Sequence, residues 1–172
     1  MKMWQVCAVA ILAGSAAPVL ANETEVLYQH KAWVVEGVTF EDGSYACLAE
    51  VADPGESFSI WAFPDETVQL QFYSEDWDFG DNDTADMEVE IDRRSPWSMT
   101  GADLTGNSVL FSLPNNDGSG DFIVEVARGN TLYLRTAEGE SVRSYTLSGS
   151  SASIKVLVEC MNSISGDRNP FN

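Results

Sequence analysis

Along the chain, Val68, Leu70 and Phe72 alternate with Gln69 and Gln71, the two-residue period of a strand with one face buried and the other wet. Met87, Val89 and Ile91 alternate as cleanly with Glu88, Glu90 and Asp92, a pattern that turns three carboxylates to solvent. Around these lie short runs rich in β-branched and aromatic residues, separated by Gly, Asp, Asn and Pro clusters. Residues 33–35 and 45–49 flank the turn residues Glu41, Asp42 and Gly43, and residues 58–63 and 68–73 flank Pro64, Asp65 and Glu66, which predicts two hairpins. Residues 109–111, 122–126, 131–134 and 142–147 read as later strands, with 115–120 and 128–130 as turns between them. About 8–10 such strands predict an all-β fold, an antiparallel sandwich or barrel.

The period changes near the C-terminus. After the capping residues Ser148, Gly149, Ser150 and Ser151, the apolar residues Ile154, Leu157, Val158, Met161 and Ile164 recur at helical spacing. One C-terminal helix over 150–164 is predicted, with Cys160 near the edge of its apolar stripe.

At the other end, Lys2, an apolar stretch over 3–14 and the small residues Ser15, Ala16, Ala17 and Ala21 follow the order of a secretory signal, with cleavage expected after Ala21. A membrane anchor is the alternative, but a span needs about 18 or more apolar residues and Gln5, Ser15 and Pro18 interrupt this stretch. Leu12, Ala13 and Gly14 resemble a lipoprotein signal, yet Ser15 stands where the lipid-bearing cysteine belongs. Residues 22–172 are thus expected to form a single β-rich domain without a membrane span, periplasmic or secreted.

Charge narrows the partners. The chain has 27 acids and a net charge of −18, and loss of Lys2 with the signal brings it to about −19. That field repels nucleic acid and anionic headgroups, draws in cations or basic proteins, and keeps an exported protein in solution. Of the three cysteines, Cys7 leaves with the signal, and Cys47 and Cys160 enter an oxidising compartment where a disulfide is the default. A two-cysteine metal site is the alternative.

Catalytic constellations are missing from the sequence. His30 is the lone histidine, and it lacks the neighbours of a triad or zinc pattern. No nucleophile elbow, phosphate loop or dinucleotide fingerprint occurs. No catalytic residue is assigned; two carboxylates meeting in a cleft, as in a hydrolase, is the one enzymatic alternative.

The most unusual segment, 74–86, mixes acids with Trp77 and Phe79. No cofactor is required, but Asp76, Asp78, Asp81 and Asp83 supply the hard oxygens that calcium takes, without the spacing of an EF-hand loop. The plainer reading is a solvated acidic loop with Trp77 and Phe79 folded onto the core, and a third is a protein-docking epitope of aromatic anchors framed by charge. Arg93 and Arg94 with Trp97 form a small basic island that either neutralises neighbouring acids or grips a partner's carboxylate.

Finally, the run Tyr145-Thr146-Leu147-Ser148-Gly149-Ser150-Ser151-Ala152 leading into Leu157-Val158-Glu159-Cys160 resembles the invasion-associated locus B family of small exported alphaproteobacterial proteins. There a β-rich domain ends in a Gly-Ser or Gly-Phe step, a helix and a cysteine. The resemblance spans about the last quarter of the chain. It implies an envelope or surface protein without catalysis, engaged with an envelope or host protein. The expectation is therefore an exported, non-enzymatic interaction module, with a calcium-dependent adhesive module and a carboxylate-based hydrolase as alternatives.

Overall fold

A computed structural model describes residues 22–165, apart from the side chains of Asp81 and Asn82; the expected signal, 1–21, lies outside the described residues. Ten strands form one sheet: β1 (Glu23–His30), β2 (Trp33–Thr39), β3 (Tyr45–Asp53), β4 (Glu56–Ala62), β5 (Val68–Ser74), β6 (Phe79–Ile91), β7 (Trp97–Gly106), β8 (Ser108–Leu113), β9 (Thr131–Thr136) and β10 (Ser141–Thr146). Two helices accompany them, α1 (Asp117–Arg128) and α2 (Ser150–Ile164). The order is β1-β2-β3-β4-β5-β8-β7-β6-β9-β10, antiparallel at every pairing. The expected antiparallel all-β class is therefore present, as one sheet left open between β1 and β10.

The sheet curls until its far ends meet across the core. Tyr145 on β10 packs 5.9 Å from Phe58 on β4 and 6.0 Å from Phe72 on β5, although several strands separate them in the sheet. Trp33 on β2 donates its indole N–H to the Thr146 carbonyl at 3.2 Å. Buried alternation accounts for this: Val35, Cys47, Ala49, Val51, Phe58, Ile60, Leu70 and Phe72 all point inward and form one apolar cluster with the β6, β9 and helix side chains. Burial, then the Glu56 carboxylate, pushes the Tyr145 phenol above its ordinary range, against the pull of Arg143.

Residues 122–126, expected as a strand, and 115–120, expected as a hairpin turn, instead build α1. Asn116 caps it, its side chain accepting from the Ser119 N–H at 3.1 Å. Asp117 stands in the first turn and Arg128 in the last, as the helix dipole favours. Phe122 and Val126, four apart, are its buried face. Four apolar residues, Phe122, Ile123, Val124 and Val126, around Glu125 fit either period, and the cap and flanking charges decide for the helix.

Helix α2 lies where the periodicity places it, but its buried residues are Ser150, Ser153, Ile154, Leu157 and Cys160. Val158 is 41% exposed, so the buried stripe passes through Cys160. The Cys47–Cys160 disulfide joins β3 to this helix, Cα atoms 6.1 Å apart and 113 residues apart in sequence. Gly149 allows the entry into α2. Its φ is +111°, and a Cβ there would collide with the His30 carbonyl oxygen. Ser150 then donates to the Val126 carbonyl at 2.9 Å, tying α2 to α1. No helix among the described residues is long and apolar enough to cross a membrane.

Candidate functional site

Residues 75–78 form the turn between β5 and β6, and there the chain folds Trp77 and Phe79 back onto the core cluster with ring centroids 5.6 Å apart. The two rings wall an open cleft of about 600 Å³. Its floor is aliphatic: Met87 from β6, Leu104 from β7, Val109 from β8, Leu134 from β9 and Val142 from β10. Asp86, Arg135, Thr136 and Glu138 stand at the rim. A concave apolar lining with a few polar groups at the edge is the general character of a binding site.

Arg143 on β10 holds the Trp77 wall in place. Its Nε lies 2.7 Å from Glu56 Oε2, and its Nη2 lies 3.0 Å from Asp76 Oδ2 and donates to Ser74 Oγ at 3.2 Å. The same guanidinium lies over the Trp77 ring, 5.7 Å from its centroid. Asn107 donates to the Trp77 carbonyl. The wall is thus set by polar contacts to two neighbouring elements.

Electrostatically the mouth is negative. Arg135 is taken by Glu90 at 2.8 Å and Arg143 by Glu56 and Asp76, while Asp78, Asp83, Asp86 and Glu138 are exposed. Asp86 accepts the Gly101 N–H at 2.8 Å. Basic groups approaching the cleft therefore meet carboxylates before cations.

The residues singled out in the sequence fall in two places. Trp77 and Phe79 line the cleft, but Trp97 does not. Its indole donates to Glu125 Oε2 at 3.1 Å and its ring meets Phe122 edge-on at 5.6 Å, so it docks α1 onto β7. Arg94 pairs with Glu125 at 3.6 Å beside it, and Arg93 is exposed on the same turn. The five therefore do not form one epitope. Asp76, Asp78 and Asp83 do not converge: Asp76 is engaged by Arg143, the others point to solvent, and the Asp81 side chain lies outside the described residues. Among the described residues no three His, Cys, Asp or Glu side chains gather as a metal site.

Arg143 was not singled out by the sequence, nor were Leu104 and Val109. Their only local signal is strand alternation, because the cleft assembles from side chains of five successive strands, Met87 to Val142, that meet only once the sheet is formed.

No protein-family model matches the chain, and no curated protein matches its sequence. Among solved structures, the crystal structure of invasion associated protein B from Bartonella henselae is similar, with a TM-score of 0.52 and 17% identity, covering 81% of this chain and 99% of that one. At that identity the likeness is one of fold. The resemblance read from the residues between Tyr145 and Cys160 thus has a counterpart in the architecture of the whole sheet.

Proposed function

We propose that this chain is a non-enzymatic binding protein of a bacterial envelope, working outside the cytoplasm, which holds a partner protein by taking an apolar side chain from a basic segment into the Trp77–Phe79 cleft. The observation that carries this reading is the aliphatic cleft of about 600 Å³, walled by two aromatic rings and opening through a rim with exposed acids. Burying one apolar anchor there contributes about 1.5–3 kcal/mol, and basic flanks are drawn to the mouth by a net charge of −18. The disulfide fits an oxidising compartment, and the fold is like that of a protein named for association with invasion. The half-buried carboxylates Glu56 and Glu90 face Arg143 and Arg135, an arrangement suited to fixing structure rather than to transferring protons.

Calorimetric titration with an alternating Lys–Leu peptide, beside its Glu–Leu counterpart, tests the reading. The basic peptide is expected to bind saturably, to weaken with added salt, and to lose about tenfold in affinity with Phe79→Ser. Equal binding of the two peptides, or no effect of Phe79→Ser, rejects it.

A further inference from the structure

A second aromatic site lies on the opposite, outer face of the sheet, and nothing in the cleft explains it. Because side chains alternate, Trp61 between the inward Ile60 and Ala62 faces out, and Phe40 and Phe63, just past the ends of β2 and β4, stack beside it. Phe40, Trp61 and Phe63 form a continuous strip there, with centroids 6.2 and 6.4 Å apart and ring planes inclined by 31° and 14°. All three are half-buried, so each keeps an accessible surface.

Beside the strip runs a row of fixed, uncharged polar side chains. Trp61 donates its indole N–H to Gln71 Oε1 at 2.8 Å, and Gln71 donates to Ser108 Oγ at 2.9 Å. One row along, the cross-strand partner Gln69 reaches Ser112 Oγ at 3.5 Å. These groups cross β4, β5 and β8, which advance by about 4.8 Å per strand, in two rows that start at Trp61: one runs straight across through Gln69 to Ser112, the other obliquely through Gln71 to Ser108. Trp61, Gln69, Gln71, Ser108 and Ser112 carry no formal charge, and the Glu50 carboxylate that borders them on β3 accepts from Ser59 Oγ at 2.8 Å.

We infer that this surface binds a neutral, extended glycan. A pyranose offers a face of C–H bonds to stack on an aromatic ring, while its rim of hydroxyls both donates and accepts. The strip supplies the ring, and the row supplies carboxamide and hydroxyl groups of matching character, already held in place. An equatorially linked β-glycan is an extended ribbon whose hydroxyls recur along its edges, so it can meet donors and acceptors placed on successive strands.

The folded chain with its disulfide intact is titrated with chitohexaose and with cellohexaose, following backbone amide shifts by NMR; polygalacturonate serves as the anionic comparison. Saturable shifts confined to the outer face of β4, β5 and β8 are expected with at least one neutral hexamer. Trp61→Ala should weaken binding by about tenfold, and Gln69→Ala with Ser112→Ala by a smaller factor. Trp77→Ala should leave it unchanged. Should Trp61→Ala fail to fold, the shift map of the native chain and the double variant decide. Absence of saturable shifts with both hexamers, shifts centred on the Trp77 cleft, or tighter binding of polygalacturonate overturns the proposal.

Discussion

Helix α2 and the Trp77 wall both pack against the same sheet, but they are held by different means. The helix is fixed by a disulfide to β3, a buried stripe and a glycine that brings it against the His30 carbonyl. The wall depends on one arginine, whose guanidinium reaches Glu56, Asp76 and Ser74 and covers the indole. A covalent clip sets the cost of leaving the fold, whereas exchangeable polar contacts permit small movements within it. A part that must admit a partner is better served by the second arrangement.

The largest test of this contrast is Cys47→Ser with Cys160→Ser. Opening a loop of 113 residues should lower stability by about 4–5 kcal/mol in chemical denaturation, with amide exchange quickening most in α2 and Lys–Leu peptide binding retained at temperatures where the variant is folded. Gly149→Ala should follow, at about 3 kcal/mol or less, because it combines a left-handed φ with contact against the His30 oxygen; a melting temperature equal to the native value would show that α2 does not need that entry. Arg143→Ala should cost about 1.5–3 kcal/mol through loss of charged hydrogen bonds, and it should shift the Trp77 fluorescence, which the cysteine variant leaves unmoved.

A pH test reaches a corner of the sheet outside both regions. The Asn130 backbone N–H, assisted by that of Thr131, holds the Asp92 carboxyl below the usual carboxylate range despite the opposing effect of burial. A depressed folded value means that its stabilisation is present above the unfolded value and is lost as pH falls through the folded one. Asp92→Asn, which tolerates the φ of 57° there, should therefore be less stable than the native chain at neutral pH, with the gap closing on acidification; a gap independent of pH would assign the loss to packing. The smallest effect belongs to the exposed Lys155–Glu159 pair on α2, 4.0 Å apart. Lys155→Gln should change the melting midpoint by an amount equivalent to about 0.5 kcal/mol or less.

Much of the sheet was legible because burial imposes a two-residue period. The turns at Asp42–Gly43 and Pro64–Asp65 join β2 to β3 and β4 to β5 as expected, and Met87, Val89 and Ile91 face inward on β6. Strand β1 was not read, because an edge strand with Val26 59% exposed has no buried face to impose alternation. Strand β7 was missed for a related reason: Gly101 and Gly106 at positive φ and its exposed polar positions break the pattern. Residues 122–126 form a helix rather than the expected strand because their four apolar residues satisfy both periods, although Asn116 and Ser119 carried the cap signal. Of the candidate site, Trp77 and Phe79 stood out as aromatics among acids, while their separation from Arg93, Arg94 and Trp97 did not.

The residues taken locally account for the strand period, the C-terminal helix, the acidic surface and a cysteine pair, Cys47 and Cys160, each written in neighbouring residues or in counts. The tertiary structure decided what depends on residues distant in the chain: the curl that brings Tyr145 to Phe58 and Phe72, the arginine behind the Trp77 wall, and the five-strand floor of the cleft. Proximity across a curled sheet follows from how its whole inner face packs, and no local run of residues contains that information.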